Sequence, residues 1–93
     1  MTDDFDSQKD AANRAKHGLG FEEIEELDWG KAVTRIDGRH HYGETRFVTY
    51  AMRGGRLHCL VWTPRDGGLR PISFRKANEK EKRRYEKEIH KTH

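Results

Sequence analysis

The sequence predicts an α+β fold with two N-terminal helices, an antiparallel sheet of about four strands and a C-terminal helix. Three patterns indicate this order. Apolar residues recur at helical spacing within the first 30 residues, and between Ala32 and Phe74 the pattern changes to one typical of strands. Asn78, followed three positions later by Glu81, has the form of a capping box that begins a helix. A chain of 93 residues suits one domain, which we expect to cover residues 1–93.

Charge is distributed unevenly along the chain. The formal net charge is +3, but the first 30 residues hold nine acidic residues against three basic ones, so they carry −6 and the remainder carries +9. A polyanion would be attracted to the second part, whereas the first could shield that part or face a basic protein. Solvated surface charge is the alternative interpretation.

Composition also limits the class of protein. With 32% hydrophobic and 38% charged residues the chain is polar, but its nine aromatic residues favour a folded domain over a disordered one. Cys59 is the only cysteine, which excludes an internal disulfide and suits a reducing compartment. No apolar run approaches the roughly 20 residues of a membrane span, and the acidic N-terminus is unlike a signal peptide. We therefore expect a soluble cytoplasmic protein without membrane contacts.

Two short helices are predicted before residue 30. The first begins at Ser7, which can act as the N-cap, and ends at Gly18. The second covers Phe21 to Leu27, because Phe21, Ile24 and Leu27 recur at helical spacing while glutamates fill the outer face. The acidic residues 1–6 could add a short edge strand or fray.

The strands are predicted at 32–36, 44–52, 57–62 and 69–76. Paired glycines in Arg53–Arg56 supply the positive φ angles of a tight hairpin turn, and residues 64–68 form another turn. Residues 39–43 are expected to be a polar loop. Residues 57–62 are almost continuously apolar, which predicts a central strand covered on both faces.

The last strand leads directly into the C-terminal helix and carries the densest set of cations. Side-chain alternation predicts two opposite faces, with Arg70, Ile72, Phe74 and Lys76 on one and Ser73 and Arg75 on the other. Pro71 cannot donate a hydrogen bond to a neighbouring strand. We therefore expect an edge strand here, or pairing only from Ile72 onward.

Three stretches have the order and spacing of motifs known from one protein family. Residues 13–23, NRAKHGLGFEE, are similar to a KHGVSFEE signature, and residues 43–46, GETR, to a GE-x-R segment. Residues 63–65, TPR, and 70–78, RPISFRKAN, followed by Glu81 and Tyr85, are similar to a T-x-R and R-I-I-S-A-R-K-A closing pattern. From about Phe5 to Tyr85 the chain thus resembles the BrnT-type toxins.

The resemblance implies a RelE-like fold and an endoribonuclease toxin of a type II toxin–antitoxin pair. Such a toxin would cleave mRNA, inhibit translation and growth, and be inhibited by a DNA-binding BrnA-type antitoxin. Three positions depart from the motifs. Gly20 replaces a serine that would cap the second helix, Pro71 replaces an isoleucine of the strand, and Phe74 adds bulk where the family has a small residue, which could alter how substrate fits.

Metal-free RNA cleavage needs a base for the ribose 2′-hydroxyl, cations for the charged phosphorane and an acid for the leaving 5′-oxygen. Arginine suits the second role because its planar fork contacts two phosphate oxygens and stays charged. We predict Arg75 as the main phosphate clamp and Arg65 as the next, with Arg46, Arg70 and Lys76 binding substrate. Arg65, Arg70 and Arg75 can meet at one phosphate only if the preceding turn folds back.

Proton transfer is assigned to His17, the only histidine inside a family-like motif, because imidazole titrates near neutral pH. Lys16 would help to neutralise the phosphate, and Glu22 would act as the base or orient His17. Each has an alternative interpretation. A cation is favoured where a helix ends, as at His17, and an acid in a first turn, as at Glu22.

The remaining candidates have structural explanations that compete with functional ones. Tyr85 could stack on a base of single-stranded RNA or serve as a core aromatic, and Glu81 is explained by the capping box. Adjacent histidines such as His40 and His41 point apart on a strand, and no cysteine or carboxylate cluster completes a site. We predict neither a metal nor another cofactor.

Two non-catalytic functions remain open from the sequence. A basic strand followed by a basic helix can bind RNA or DNA through phosphates alone. The same face could instead dock only an acidic, antitoxin-like partner. The enzyme hypothesis differs from both because it requires a proton-transfer group beside the arginines.

Overall fold

The computed structural model describes residues 6–38 and 43–92. The elements are helix α1 (Ser7–His17), two 3₁₀ segments (Phe21–Glu26 and Trp29–Lys31), strands β1 (Val33–Ile36), β2 (Phe47–Arg53), β3 (Arg56–Arg65) and β4 (Gly68–Lys76), and helix α2 (Glu79–Thr92). The strands form one antiparallel sheet in the order β1-β2-β3-β4. The predicted α+β class, four-stranded sheet and C-terminal helix are confirmed. The proposed edge strand over residues 1–5 and the histidines of the 39–43 loop lie outside the described residues.

The predicted second N-terminal α-helix is wrong, because Phe21–Glu26 is a 3₁₀ helix. Phe21, Ile24 and Leu27 are spaced by three, the period of a 3₁₀ helix, so this conformation brings all three into the core. Gly20 at the N-cap has no side chain to cap the segment, but the Glu23 carboxylate accepts from the Gly20 N–H at 2.7 Å. We call this element the 3₁₀ segment below.

Helix α1 begins one residue earlier than predicted. Asp6, rather than Ser7, is the N-cap, and its carboxylate accepts from the N–H groups of Gln8 and Lys9 at 2.8 and 3.4 Å. Gly18 ends the helix in the left-handed conformation, with φ 73°, as predicted.

Two hairpins join β2 to β3 and β3 to β4. Gly54 and Gly55 have φ of 57° and 78° and connect the paired Arg53 and Arg56, which confirms the first turn. The second turn is shorter than the predicted 64–68. Asp66 and Gly67 both have positive φ, so two residues suffice, and Pro64 and Arg65 remain in β3.

The sheet is covered on both faces. On one face the 3₁₀ segment and Leu19, which follows α1, pack against the sheet. This core contains Leu19, Phe21, Ile24, Leu27, Ala51, Leu60 and Phe74. On the other face Tyr85 of α2 packs with Val48, Tyr50, Leu57, Cys59 and Ala77. Residues 57–60 of β3 are buried and alternate between these faces, which confirms the predicted central strand.

Strand β4 is an edge strand, as Pro71 predicted, and α1 lies along it. Asn13 of α1 donates to Phe74 O at 2.8 Å and accepts from Phe74 N at 3.0 Å. The same amide nitrogen donates to Leu19 O at 2.9 Å. One buried side chain therefore provides the hydrogen bonds that a further strand would supply at this position.

A bulge in β4 changes the predicted faces of that strand. Val61 pairs with Ser73 and Trp62 with Pro71, so Ile72 is an extra residue without a partner on β3. Because of this extra residue, Arg70 shares a face with Ser73 and Arg75 rather than with Phe74. The prediction that Arg70 and Phe74 lie on one face is therefore wrong.

Candidate functional site

An open groove of about 670 Å³ lies on the α2 face of the sheet, beside the first turns of α2. All four strands contribute to its floor. Five cationic side chains line it, against the two carboxylates of Asp37 and Glu81, and we call it the basic groove: Arg35, Arg46, Arg75, Lys80 and Arg84. Such an excess of positive charge in a concave surface attracts polyanions.

Arg75 is held firmly at the floor of the basic groove. Its Nη1 donates to Glu81 Oε1 at 2.9 Å and its Nη2 to Glu81 Oε2 at 2.8 Å, a two-point ion pair. The contact with Glu81 raises the pKa of Arg75, so the guanidinium stays charged at all relevant pH values. About a third of the Arg75 side chain is exposed, which leaves it accessible from the groove.

Glu81 joins three elements through one carboxylate. Besides Arg75 of β4, it accepts from the N–H of Asn78 at 2.9 Å and from the hydroxyl of Tyr50 on β2 at 3.3 Å. The Asn78 side chain in turn accepts from the Glu81 N–H at 2.8 Å, which confirms the predicted capping box. The hydrogen bond from Arg75 and the Asn78 N–H together lower the pKa of Glu81 to about 2.

Tyr50 completes this arrangement as a proton donor. Burial first, and then the neighbouring Cys59 and Glu81, raise its pKa to about 12. The phenol therefore stays protonated at neutral pH and donates to Glu81. We call Tyr50, Arg75 and Glu81 the Arg75 cluster.

A smaller depression of about 240 Å³ lies between α1 and β4. Lys9, Lys16 and His17 line it from the helix, while Ile72 and Ser73 line both this depression and the basic groove. Burial lowers the pKa of His17, and the charges of Lys16 and Arg75 lower it further. His17 and Lys16 therefore line this depression and not the basic groove, and the two concave surfaces meet at Ile72 and Ser73.

The clamped Arg75 lies in a groove rich in positive charge, and comparison with known proteins connects the chain to a family. The family described as ribonuclease toxin, BrnT, of type II toxin–antitoxin systems matches residues 5–81. The chain belongs to the BrnT family. It is therefore a ribonuclease toxin of a type II toxin–antitoxin system, a class that acts on RNA and is paired with an antitoxin. A comparison with curated proteins finds no match.

Two of the predicted BrnT arginines lie away from Arg75. Arg75 pairs with Cys59, whereas Arg65 is six residues further along β3, roughly 20 Å away at about 3.3 Å per residue. The β3–β4 turn does not fold back, so Arg65, Arg70 and Arg75 do not meet at one phosphate. Arg70 lies between the other two, opposite Thr63. The N–H groups of Gln8 and Lys9 chiefly lower the pKa of Asp6 at the start of α1, and the charge of Arg70 adds to this effect.

Two further predicted substrate-binding residues differ in position. Arg46 lines the basic groove and donates to Glu44 at 3.1 Å. Lys76 is exposed at the end of β4, but it pairs with His58 and so lies on the opposite face from Arg75. Only Arg46 of these two is in the groove.

Glu22 and Tyr85 make structural contacts and do not line the basic groove. Glu22 forms an ion pair with Arg14, which also donates to Asp10 at 3.2 Å, and it lies in the 3₁₀ segment. Tyr85 is 8% exposed, packs between α2 and the sheet, and donates to Lys31 O at 2.7 Å. The packing favours the core interpretation of Tyr85 over base stacking.

The departures from the BrnT motifs are accommodated by packing. Phe74 is fully buried in the core under the 3₁₀ segment, on the opposite face from Arg75, so the expectation that it adds bulk beside the site is wrong. Pro71 pairs at the edge strand next to the bulge. A Cβ at Gly20 would meet the guanidinium of Arg14, the end of an exposed side chain that can move aside, so packing does not require glycine here.

Several groove residues escaped the sequence analysis. No motif or spacing in the sequence singles out Arg35, Tyr50, Lys80 or Arg84 as members of a site. One signal was present for Glu81, an acid six residues after Arg75 with only a short turn between them. Among residues 6–38 and 43–92, no group of three or more histidine, cysteine or carboxylate side chains is arranged to hold a metal ion. The helices described are all too short or too polar to span a membrane.

Proposed function

We propose that the chain, as a single domain over residues 1–93, is a metal-independent endoribonuclease that cleaves mRNA in the cytoplasm and thereby inhibits translation and growth. One observation carries the proposal. The clamped cation Arg75 lines a groove rich in positive charge and is near enough to His17 to help lower its pKa. The depression lined by His17 shares Ile72 and Ser73 with this groove, which supports a role for His17 as the proton-transfer group beside the Arg75 cation.

The reaction can be written with these groups. A neutral His17 accepts the proton of the ribose 2′-hydroxyl, and the 2′-oxygen attacks the adjacent phosphorus. Arg75 and Lys16 stabilise the negative charge of the phosphorane. The bond from phosphorus to the 5′-oxygen then breaks, and the imidazolium returns its proton to that oxygen. The products are a 2′,3′-cyclic phosphate and a 5′-hydroxyl.

The predicted catalytic residues do not all take part in this reaction. Lys16, His17 and Arg75 act at the reacting phosphate. Arg46 binds a neighbouring phosphate in the basic groove, and Arg70, on the same face, is positioned for RNA that extends along the β3–β4 hairpin. Glu22 and Arg65 remain predictions with other neighbours, since one pairs with Arg14 and the other lies at the hairpin tip.

Cleavage of mRNA by the purified protein in EDTA tests the proposal. We expect products with cyclic phosphate ends, and a loss of kcat of about 10²- to 10³-fold in Arg75→Ala, as for other transition-state donors. Arg56→Ala is the matched control, because it removes the same charge from an exposed position at the start of β3. RNA that stays intact in EDTA, with Arg75→Ala changing only RNA affinity, would establish a non-catalytic binding module instead.

The partner is proposed to be a BrnA-type DNA-binding antitoxin. We expect a small neighbouring gene to encode it, and co-expression of that gene to restore growth of cells that express this toxin. A toxin that remains lethal when the neighbouring product is present, or a genome without such a neighbour, would contradict this assignment.

A further inference from the structure

The Arg75 guanidinium has five N–H groups, and its neighbours use three of them. Nη1 donates to Glu81 Oε1 at 2.9 Å and to the carbonyl of Lys76 at 3.2 Å, while Nη2 donates to Glu81 Oε2 at 2.8 Å. Within the described part of the chain, this leaves the Nε–H and the second Nη2–H. These two lie along one edge of the planar group, with the spacing that suits two oxygens of one phosphate.

Glu81 is itself fixed from several directions. Asn78 N–H and the Tyr50 hydroxyl both donate to its carboxylate, and its N–H is bonded to the Asn78 side chain. Its side chain is 13% exposed, so it has little freedom to turn away. The orientation of the Arg75 group is therefore set by a carboxylate that is anchored to β2 and to the start of α2.

We infer that Glu81 is a positioning residue for RNA cleavage: it holds the end of the Arg75 guanidinium so that the free edge, formed by Nε and Nη2, presents two donors to one phosphate. This inference rests on the proposed ribonuclease function. It adds a role for a residue that a capping box alone would explain, and it makes the Arg75 cluster an arrangement that orients the guanidinium.

A positioning role for Glu81 predicts different effects on RNA binding and on the reaction, which a purely structural role does not. The carboxylate fixes the direction of the Arg75 group but also cancels its charge, which weakens attraction to RNA. Loss of the negative charge should therefore leave binding of RNA unchanged or stronger while the reaction slows. A residue that only stabilised the fold would weaken both together.

Glu81→Gln is the decisive variant, since glutamine keeps an oxygen for the Asn78 N–H but offers Arg75 an NH₂ group in place of the second oxygen. We expect kcat to fall by about 10- to 100-fold, as misplacement of a catalytic group does. The dissociation constant for an uncleavable 2′-O-methyl RNA should stay the same or fall. Glu79→Gln is the control, because it makes the same change of charge at an exposed carboxylate in the same turn of α2, one that pairs with Lys82, and we expect it to retain the wild-type kcat.

Retention of wild-type kcat in Glu81→Gln, or a loss only in proportion to weaker RNA binding, would overturn the inference. A second measurement uses the wild-type protein and needs no variant to fold. On titration with 2′-O-methyl RNA, the NMR signal of the Arg75 Nε–H should shift, and an unchanged signal at saturation would refute the free-edge contact. Since this RNA is not cleaved, a protein that fails to cleave mRNA but shows the shift would lose the proposed function while keeping the phosphate clamp.

Discussion

Asn13→Ala should destabilise the protein far more than an ordinary helix substitution. The Asn13 side chain is 6% exposed and serves three backbone groups, namely Leu19 O and the N–H and C=O of Phe74. Each buried group left without a partner costs about 1–3 kcal/mol, and water entering at the sheet edge would recover part of this. We therefore expect a loss of roughly 2–4 kcal/mol, a large fraction of the 5–15 kcal/mol typical of a small domain.

Urea unfolding monitored by tryptophan fluorescence and circular dichroism measures this loss. Gln8→Ala is the matched control, since it truncates an exposed side chain in the same helix. In a domain of this size the loss should lower Tm by roughly 10–25 °C, at about 4–8 °C per kcal/mol. If Asn13→Ala unfolds at the same urea concentration as Gln8→Ala, then the amide does not secure α1 to β4 and the reasoning fails.

Two further predictions concern the pH dependence of stability and one turn. His58 is 1% exposed, its Nδ1 bonds to Arg56 O, and its Nε2 has no partner among the described residues; burial chiefly lowers its pKa. The unfolded chain then binds the proton more readily, so the free energy of unfolding should fall as the pH drops below about 6.5. In urea titrations at pH 7.5 and 5.5, His58→Phe should reduce the dependence of this free energy on pH. An unaltered dependence would contradict the assignment. Gly55→Ala should cost about 1–2 kcal/mol because φ is +78° there, whereas Gly38→Ala, where a Cβ also meets nothing within 4 Å, should be neutral by the same measurement; equal effects would exclude backbone strain as the cause.

The sequence predicted the elements whose signals are local. The Gly54–Gly55 turn, the buried run of β3 and the Asn78–Glu81 capping box each depend on residues close together in the chain, and each is confirmed. The sequence predicts an α-helix at the 3₁₀ segment because apolar residues three apart, repeated only twice, fit the period of an α-helix and that of a 3₁₀ helix. That the fold is RelE-like stays a prediction.

The candidate site was harder to predict because strand pairing assembles it. Arg35 and Arg84 are far apart in sequence and reach the same groove only through the order of the sheet and the docking of α2. Arg75 and His17 were both predicted, but their proximity depends on Asn13 binding α1 to the edge of β4. The predicted face of Arg70 is wrong because simple alternation of side chains assumes a strand without a bulge. Pro71 is a residue type that occurs at bulges.

The single extra residue Ile72 affects the whole first part of β4. Every side chain of β4 before it is transferred to the other side of the sheet relative to a regular strand, so Arg70 joins the side of the basic groove. Loss of this one residue would leave the composition and net charge almost unchanged, yet it would move Arg70 to the side of the 3₁₀ segment. Chain length at this point, as much as the choice of basic residues, therefore determines which surface of the toxin is electropositive.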